Sequence, residues 1–330
     1  MLPAAHFALA EALLVQGEFA PGWEEYEWRF RIPDAGAPIP TADSPQWDGA
    51  PLSDGRLLLV ADQGFGDVIQ FSRYIPWVRE RCPNLVLACG AEMLPLLRHN
   101  FPWLHLTNRL EPSGPFSAFC PLSGLPRLHG TRLETILAMP RFIHAVPDRV
   151  ADWRRRLDGL SPGPQRRVGI VWAGRATPPN RSMGLAMLAP VAALDGLVLV
   201  ALQKGAAQGE VAGYYGRAPL ISLGPEMADF SDTAAIIESL DLVVTIDTAV
   251  AHLAGSMGKP VWIMLPYAAD WRWLLGRPDS PWYPSARLFR QDAPGQWEPV
   301  TARVAEALAS VAAVLPSYGA TAAPCRSQCA

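Results

Sequence analysis

Three stretches of this 330-residue chain set reactive side chains just behind apolar runs. In RLLLVADQGFGDVIQF, residues 56–71, Gly64 and Gly66 precede Asp67 where a strand gives way to a helix. Glycines at such a junction permit a tight turn and close backbone approach, and a carboxylate at the start of the next helix would stand at the mouth of a cleft. Two readings of Asp67 are open: a functional carboxylate, or a first-turn acid that stabilises its helix by roughly 0.5–2 kcal/mol. Asp62 and Gln63, in the same loop, suit simple turn hydrogen bonding. A dinucleotide fingerprint needs a third glycine where the chain has Ile69, so a dehydrogenase loses its main support.

The second stretch is LDLVVTIDTAVAHLAGSMGKPVWIMLP, in which a buried strand, Leu242 to Ile246, ends at Asp247-Thr248 and a helix starts within TAVAHLAG. The unpaired N–H groups and dipole of that helix N-terminus, around Thr248 and Ala249, favour a phosphate, and the Thr248 hydroxyl adds a hydrogen bond. The alternative is a capped core helix with His252 as a satisfied structural histidine. The third stretch, LVLVALQKG, places Lys204 at a strand end. Only Lys204 and Lys259 among 28 basic residues are lysine. A compact ammonium there either serves a phosphate or is an ordinary surface lysine. Arg181 and Ser182, after GIVWAG, form a further phosphate-facing cluster or a solvated loop. Trp271, Trp273 and Trp282 either pack a long loop or shape a base or sugar pocket.

These stretches need elements to position them. AHFALAEALLVQGEFAPGWEEYEWRF divides at Gly17 into two helical patterns, one carrying Phe7, Ala10 and Leu14 and the next Phe19, Trp23, Tyr26 and Phe30. The hairpin is tetratricopeptide-like, with Gly22 where that repeat prefers alanine, and spans 1–31. Residues 32–54, rich in proline, glycine and aspartate, read as a surface linker. RLLLVAD, NLVLACG, WLHLTN and FSAFCPL then alternate with helical stretches, and so do RRVGIVWAG, LVLVALQKG, PLISLG, LDLVVTID and KPVWIMLP, which indicates parallel sheets with crossover helices. The expected units are an N-terminal half over 55–160 and a C-terminal half over 161–316. A polar helix and a Pro/Gly break, ADWRRRLDGLSPGPQ, form a hinge between them. The last helix, about Pro299 to Leu315, is amphipathic, and 317–330 are a disordered tail. The fold class is α/β, two Rossmann-like domains facing a cleft, and open sheets of this kind bind ligands beyond the carboxyl ends of their strands.

Composition narrows the function. A net charge of -3 with mixed signs recommends no nucleic acid. Five scattered cysteines argue against a disulfide framework and for a reducing, cytoplasmic setting, and the CxxxC of Cys325 and Cys329 is either a metal pair or part of a disordered end. Nothing at the start resembles a signal peptide, and no apolar run approaches the roughly 20 residues that span a bilayer. Asp-x-Asp, HExxH, GxSxG and Walker patterns are absent, so neither a bound metal nor hydrolase or triphosphatase chemistry finds its motif.

Together GFGDVIQF, VGIVWAG, RSMGLAMLAP, LQKG, DTAVAHLAGSMGKPVW and DWRWLLGRPDSPWYPSARLFRQ resemble the bacterial tetratricopeptide-linked glycosyltransferases, relatives of the family 9 heptosyltransferases. The resemblance covers nearly the whole chain and implies a GT-B fold, a nucleotide-sugar donor held mainly by the C-terminal domain, and no cofactor or metal. It maps the family's catalytic aspartate onto Asp67, as the base that takes the acceptor hydroxyl's proton. It implies donor and phosphate contacts from Gly64, Gly66, Lys204, Arg181, Asp247, Thr248, Ala249 and His252, with Trp172 and Trp271 in the donor pocket. The acceptor would be a protein or a cell-envelope glycan, with peripheral contact to the inner membrane among the options. Asp62 stands where the family has glutamate, and the loop RATPPNRSM is shorter than usual. A scaffold that keeps the fold without turnover, and a nucleotide-sugar epimerase, are the competing readings.

Overall fold

Proline and glycine divide the start of the chain into two helices in a computed structural model, which describes residues 2–32, 44–109, 115–137, 139–175 and 179–312. Helix α1 (Pro3–Val15) has proline at its first position, where a missing N–H costs nothing. Gly17, at φ +86°, makes the turn into α2 (Phe19–Tyr26), whose Phe19, Trp23 and Tyr26 are buried. The expected apolar stripe stops there. Residues Glu27–Arg31 tighten into a 3₁₀ turn that leaves Phe30 at the margin and drives Arg29 inward, 5% exposed.

Four parallel strands follow: β1 (Arg56–Val60), β2 (Asn84–Ala88), β3 (His105–Thr107) and β4 (Ala118–Pro121), in spatial order β3-β2-β1-β4. Leu57 of β1 lies opposite Leu85 on one side and Ala118 on the other. Short helices α3 (Phe65–Phe71), α4 (Ile75–Arg81), α5 (Leu94–Asn100) and α6 (Leu125–His129) connect or follow the strands. The described part of the segment read as a surface linker is anchored along β4. Gln46 bridges to Phe119, and Trp47 is buried, its ring 5.7 Å from that of Trp77.

Helix α7 (Pro147–Leu160), read in the sequence as the polar helix of a hinge, leads into six parallel strands. These are β5 (Arg166–Val171), β6 (Leu197–Ala201), β7 (Leu220–Ser222), β8 (Leu242–Ile246), β9 (Val261–Leu265) and β10 (Ala286–Arg290). Their order, β10-β9-β8-β5-β6-β7, is the doubly wound order of dinucleotide-binding sheets. Strand β10 was not foreseen; ARLFR pairs with β9, Ala286 opposite Val261. Helices α8 (Ala189–Ala192), α9 (Phe230–Glu238), α10 (Ala249–Ser256) and α11 (Glu298–Ala312) cover the faces. Ion pairs from Arg149 to Asp229 and Asp232, at 2.7 and 3.0 Å, and the Trp153 indole donating to Asp232, fasten α7 to α9. The tail 317–330, with Cys325 and Cys329, lies outside the described residues.

One apolar core runs without interruption from Leu14 and Phe19 of the hairpin through Ile69 and Val78 to Leu253 and Trp282 of the second half. Another fills the opposite face of the six-stranded sheet, around Trp172, Leu199, Val244 and Val300. Burying a side chain of this size contributes about 1.5–3 kcal/mol. The hairpin is therefore part of the fold it precedes. Phe19 and Trp23 pack edge-on to Trp271, at 6.4 and 5.1 Å, and Trp23 Nε1 donates to the Thr131 carbonyl at 2.9 Å.

Candidate active site

The cleft between the halves, about 600 Å³, lies at the carboxyl ends of β5 and β8, where the strand order reverses. Its floor on the C-terminal side comes from three loops. After β5, the Trp172 and Ala173 amides both donate to Gln203 Oε1, at 3.1 and 2.9 Å. Gln203 Nε2 returns a bond to the Ala173 carbonyl at 3.0 Å and another to Lys204 O at 2.8 Å. This clamp fixes the strand end that carries Lys204, whose ammonium donates to Met227 O. Gln203 stands in the LQKG stretch, yet its part in binding the two loops together was not read from it.

Arg181 lines the same floor with its Nε buried and, among the described residues, without a hydrogen-bond partner. Ser182 Oγ accepts from the Gly174 amide at 3.0 Å and so holds the loop end that carries Arg181. Helix α10 points its N-terminus at the cleft. Its N-cap residue Thr248 is extended and makes no side-chain cap, its hydroxyl lying 3.1 Å from that of Thr245. The amide end of α10, beginning with Ala249, thus faces the cavity with positive partial charge.

Asp247 also lines the cleft, 9% exposed, and burial together with the charge of Asp270 raises its carboxyl to about 6. His252 is both core and site. Nδ1 lies 2.9 Å from the Tyr283 hydroxyl, the ring stacks on Trp273 at 5.4 Å, and Nε2 is 3.8 Å from Asp247. Burial, with Arg272, Arg73 and Arg181 nearby, holds its pKa well below the usual histidine value, so the ring is neutral.

The N-terminal side supplies the carboxylate. Asp67 Oδ2 accepts from the Gly64 amide at 2.8 Å, the first-turn contact expected of an acid at that place in α3. Its other oxygen pairs with Arg272, which the sequence reading did not single out. Arg272 sits in a 3₁₀ turn, Trp271–Trp273, between Asp270, which accepts from the Arg272 amide at 3.0 Å, and Leu274, held at φ +52°. A left-handed leucine costs about 1–3 kcal/mol and persists where its surroundings over-determine it. The guanidinium donates to Asp270 at 2.9 and 3.1 Å, to Gln70 at 2.6 Å and to Gln63 at 3.4 Å. Burial disfavours its charge, but Asp270, Asp67 and Tyr26 outweigh that, so its pKa lies above the ordinary guanidinium value. Burial pushes Asp67 upward, Arg272 opposes, and the net direction is up.

The two glycines act through space rather than dihedral freedom. Gly64 has φ -74°, open to any residue, but a Cβ there would lie 3.2 Å from Arg175, which reaches across from the β5 loop. At Gly66 a Cβ would fall 2.7 Å from His252 Cδ2, so glycine is what lets α3 and α10 meet. Of the residues singled out in the sequence, Asp67, Gly64, Gly66, Lys204, Arg181, Asp247, Thr248, Ala249 and His252 come together around one cavity. Trp172 and Trp271 do not join them. Trp172 is fully buried under the six-stranded sheet, and Trp271 packs between the hairpin and Trp282. Their large apolar faces are used by the core, which satisfies them better than a solvated pocket. Among the described residues, no cluster of three or more histidine, cysteine or acidic side chains could hold a metal ion, and no helix is long and apolar enough to cross a membrane.

No family model matches the chain. Protein FlbA of Caulobacter vibrioides is 33% identical over 333 residues, which take in 93% of this chain and 55% of that protein. The chain thus spans about half the length of the curated relative it matches. Among solved structures, a family 9 glycosyl transferase from Veillonella parvula superposes with a TM-score of 0.53 at 13% identity, over 79% of this chain and 97% of the other. The ADP-heptose lipopolysaccharide heptosyltransferase II of E. coli gives 0.54 at 14% identity, over 78% and 98%. The fold is the one these two structures share.

Proposed function

We propose that the chain is a metal-independent, inverting glycosyltransferase that moves a sugar from a nucleotide-sugar donor to a hydroxyl of a protein or cell-envelope glycan acceptor, and that it works in the cytoplasm. The hairpin, on this reading, is a tetratricopeptide unit placed next to the catalytic fold. One observation carries the proposal: a half-buried carboxylate, Asp67, faces across one cleft the side chains of Arg181 and Lys204 and the N-terminal end of α10.

The chemistry follows from that opposition. The acceptor hydroxyl gives its proton to Asp67 as its oxygen attacks the anomeric carbon from the face opposite the nucleotide. The bond from that carbon to the phosphate oxygen breaks, and the charge that develops on the leaving phosphate falls on Lys204, Arg181 and the α10 amides. Both Asp67 oxygens already accept one bond, and each keeps a lone pair for the acceptor. Asp247 lies close to the anion set, and proton uptake near pH 6 would relieve its repulsion of a phosphate.

The test is a panel of ADP-, GDP-, UDP- and CMP-linked sugars, read by thermal shift and by release of free nucleotide, with and without EDTA. One donor should stabilise the protein and be slowly hydrolysed with EDTA present. Lys204→Ala should weaken its binding about tenfold or more, the loss of one charge-assisted hydrogen bond. Asp67→Asn should leave binding intact and cut turnover by about 100-fold or more. Stabilisation without any turnover would turn the reading toward a binding scaffold, and conversion of the donor sugar without an acceptor toward an epimerase.

A further inference from the structure

The helical hairpin reaches the cleft through side chains. Tyr26 of α2 accepts a hydrogen bond from Gln63 Nε2 at 2.8 Å, and Gln63 Oε1 accepts from Arg272 Nη2 at 3.4 Å. The same Arg272 nitrogen donates to Asp67 Oδ1. The guanidinium carbon lies 4.2 Å from the ring centre of Trp271, and that ring is walled on its other sides by Phe19, Trp23 and Tyr26. Hairpin, first loop and second half thus converge on one buried cation whose free end holds the carboxylate.

We infer that Arg272 is the positioning residue for Asp67, and that Tyr26, acting through Gln63, makes the hairpin part of the device that aims this carboxylate into the cleft. Arg272 is unsuited to binding substrate itself, because Asp270, Gln70, Gln63 and Asp67 take up its donors and it is only 6% exposed. Its contribution is geometric and electrostatic. It stops the Asp67 carboxyl from rotating about its side chain, and it favours the ionised form that can accept a proton.

The charged and titratable groups facing Asp67 are Arg272 and Asp270 from the loop after β9 and Asp62 from its own loop, with Tyr26 of α2 behind them. Arg175 overhangs Gly64 from the β5 loop, neutral His252 abuts Gly66 from α10, and Glu11 of α1 faces Arg272 and Asp270. Only Arg272 among these is bonded directly to the Asp67 carboxylate. Removing it leaves the Gly64 amide alone against burial and the acidic neighbours, so Asp67 would take up its proton at higher pH.

The inference rests on Asp67 being the base, and the experiment separates the two. Arg272→Gln, Arg272→Lys and Tyr26→Phe are compared in the full chain by following the Asp67 carboxyl carbon through a pH titration, assigned with Asp67→Asn, and by steady-state donor hydrolysis. Arg272→Gln should move the carboxyl titration upward and lower kcat about 100-fold with KM for the donor little changed, the effect of a misaimed base. Arg272→Lys should recover part of both, and Tyr26→Phe should shift both the same way by less. An Asp67 titration that stays in place in folded Arg272→Lys and Tyr26→Phe proteins overturns the inference, as does a loss confined to KM. If Arg272→Gln does not fold, those two variants still decide. If no donor is hydrolysed at all, the transferase reading fails, while the carboxyl titration continues to report on the positioning.

Discussion

The two sheets reverse their strand order at equivalent places, between β1 and β4 in the first half and between β5 and β8 in the second, yet among the described residues side chains close the first reversal while a cavity stands at the second. Beyond β1 and β4, Asp62 accepts from the Ser123 amide at 3.1 Å and from the Ser123 hydroxyl, and Arg29 of the hairpin donates to that hydroxyl while lying 3.7 Å from Asp62. Side chains therefore fill the crevice. Beyond β5 and β8 stand Gly174 and Thr248, which leave a cavity. The same topology creates a binding crevice twice, and a single arginine from outside the sheet closes one of them. The first half keeps its share in the site through the start of α3, where Gly64, Gly66 and Asp67 line the cleft, and through Glu92.

That contrast can be broken. Arg29→Ala leaves the 6%-exposed Asp62 carboxylate without its cation and should cost about 3–5 kcal/mol of stability, read from urea unfolding. Asp247 tests the open crevice. Its carboxyl titrates near 6 when folded against an ordinary 3.8, so the folded state holds the proton more tightly than the unfolded one. Stability should then fall as pH rises from about 4 through 6, by on the order of 2 kcal/mol, and Asp247→Asn should abolish that fall in unfolding measured across the range. Gly66→Ala tests the seam between α3 and α10. A methyl group 2.7 Å from the His252 ring, which Trp273 and Tyr283 hold in place, should cost about 1–3 kcal/mol, seen as a drop in Tm.

Local patterning made most of the fold legible. Nine of the ten strands among the described residues announce themselves as apolar runs before glycine or polar residues, whereas β10, with Arg287 and Arg290 in ARLFR, hides its alternation among charges. The residues that meet around the cleft were legible because they sit in the loops that follow strands, where an α/β sheet puts its ligands. The partners of Asp67 were not. Arg272 is 205 positions away from Asp67, and nothing within DWRW distinguishes a cation aimed at a carboxylate from one in solvent. Trp172 and Trp271 misled for a related reason, since a tryptophan beside a site motif has the same local signature whether it faces a ligand or a core.

The continuous core that joins hairpin and halves bears on modularity. A helical hairpin that served only to recruit a partner could be exchanged like a cassette. This one has Phe19, Trp23 and Tyr26 set against Trp271 and Trp282, so its removal would strip the cover from an aromatic nest on the opposite half. The side chain at position 19 must therefore fit Trp271, some 250 residues downstream, before it can serve anything the hairpin's outer surface meets.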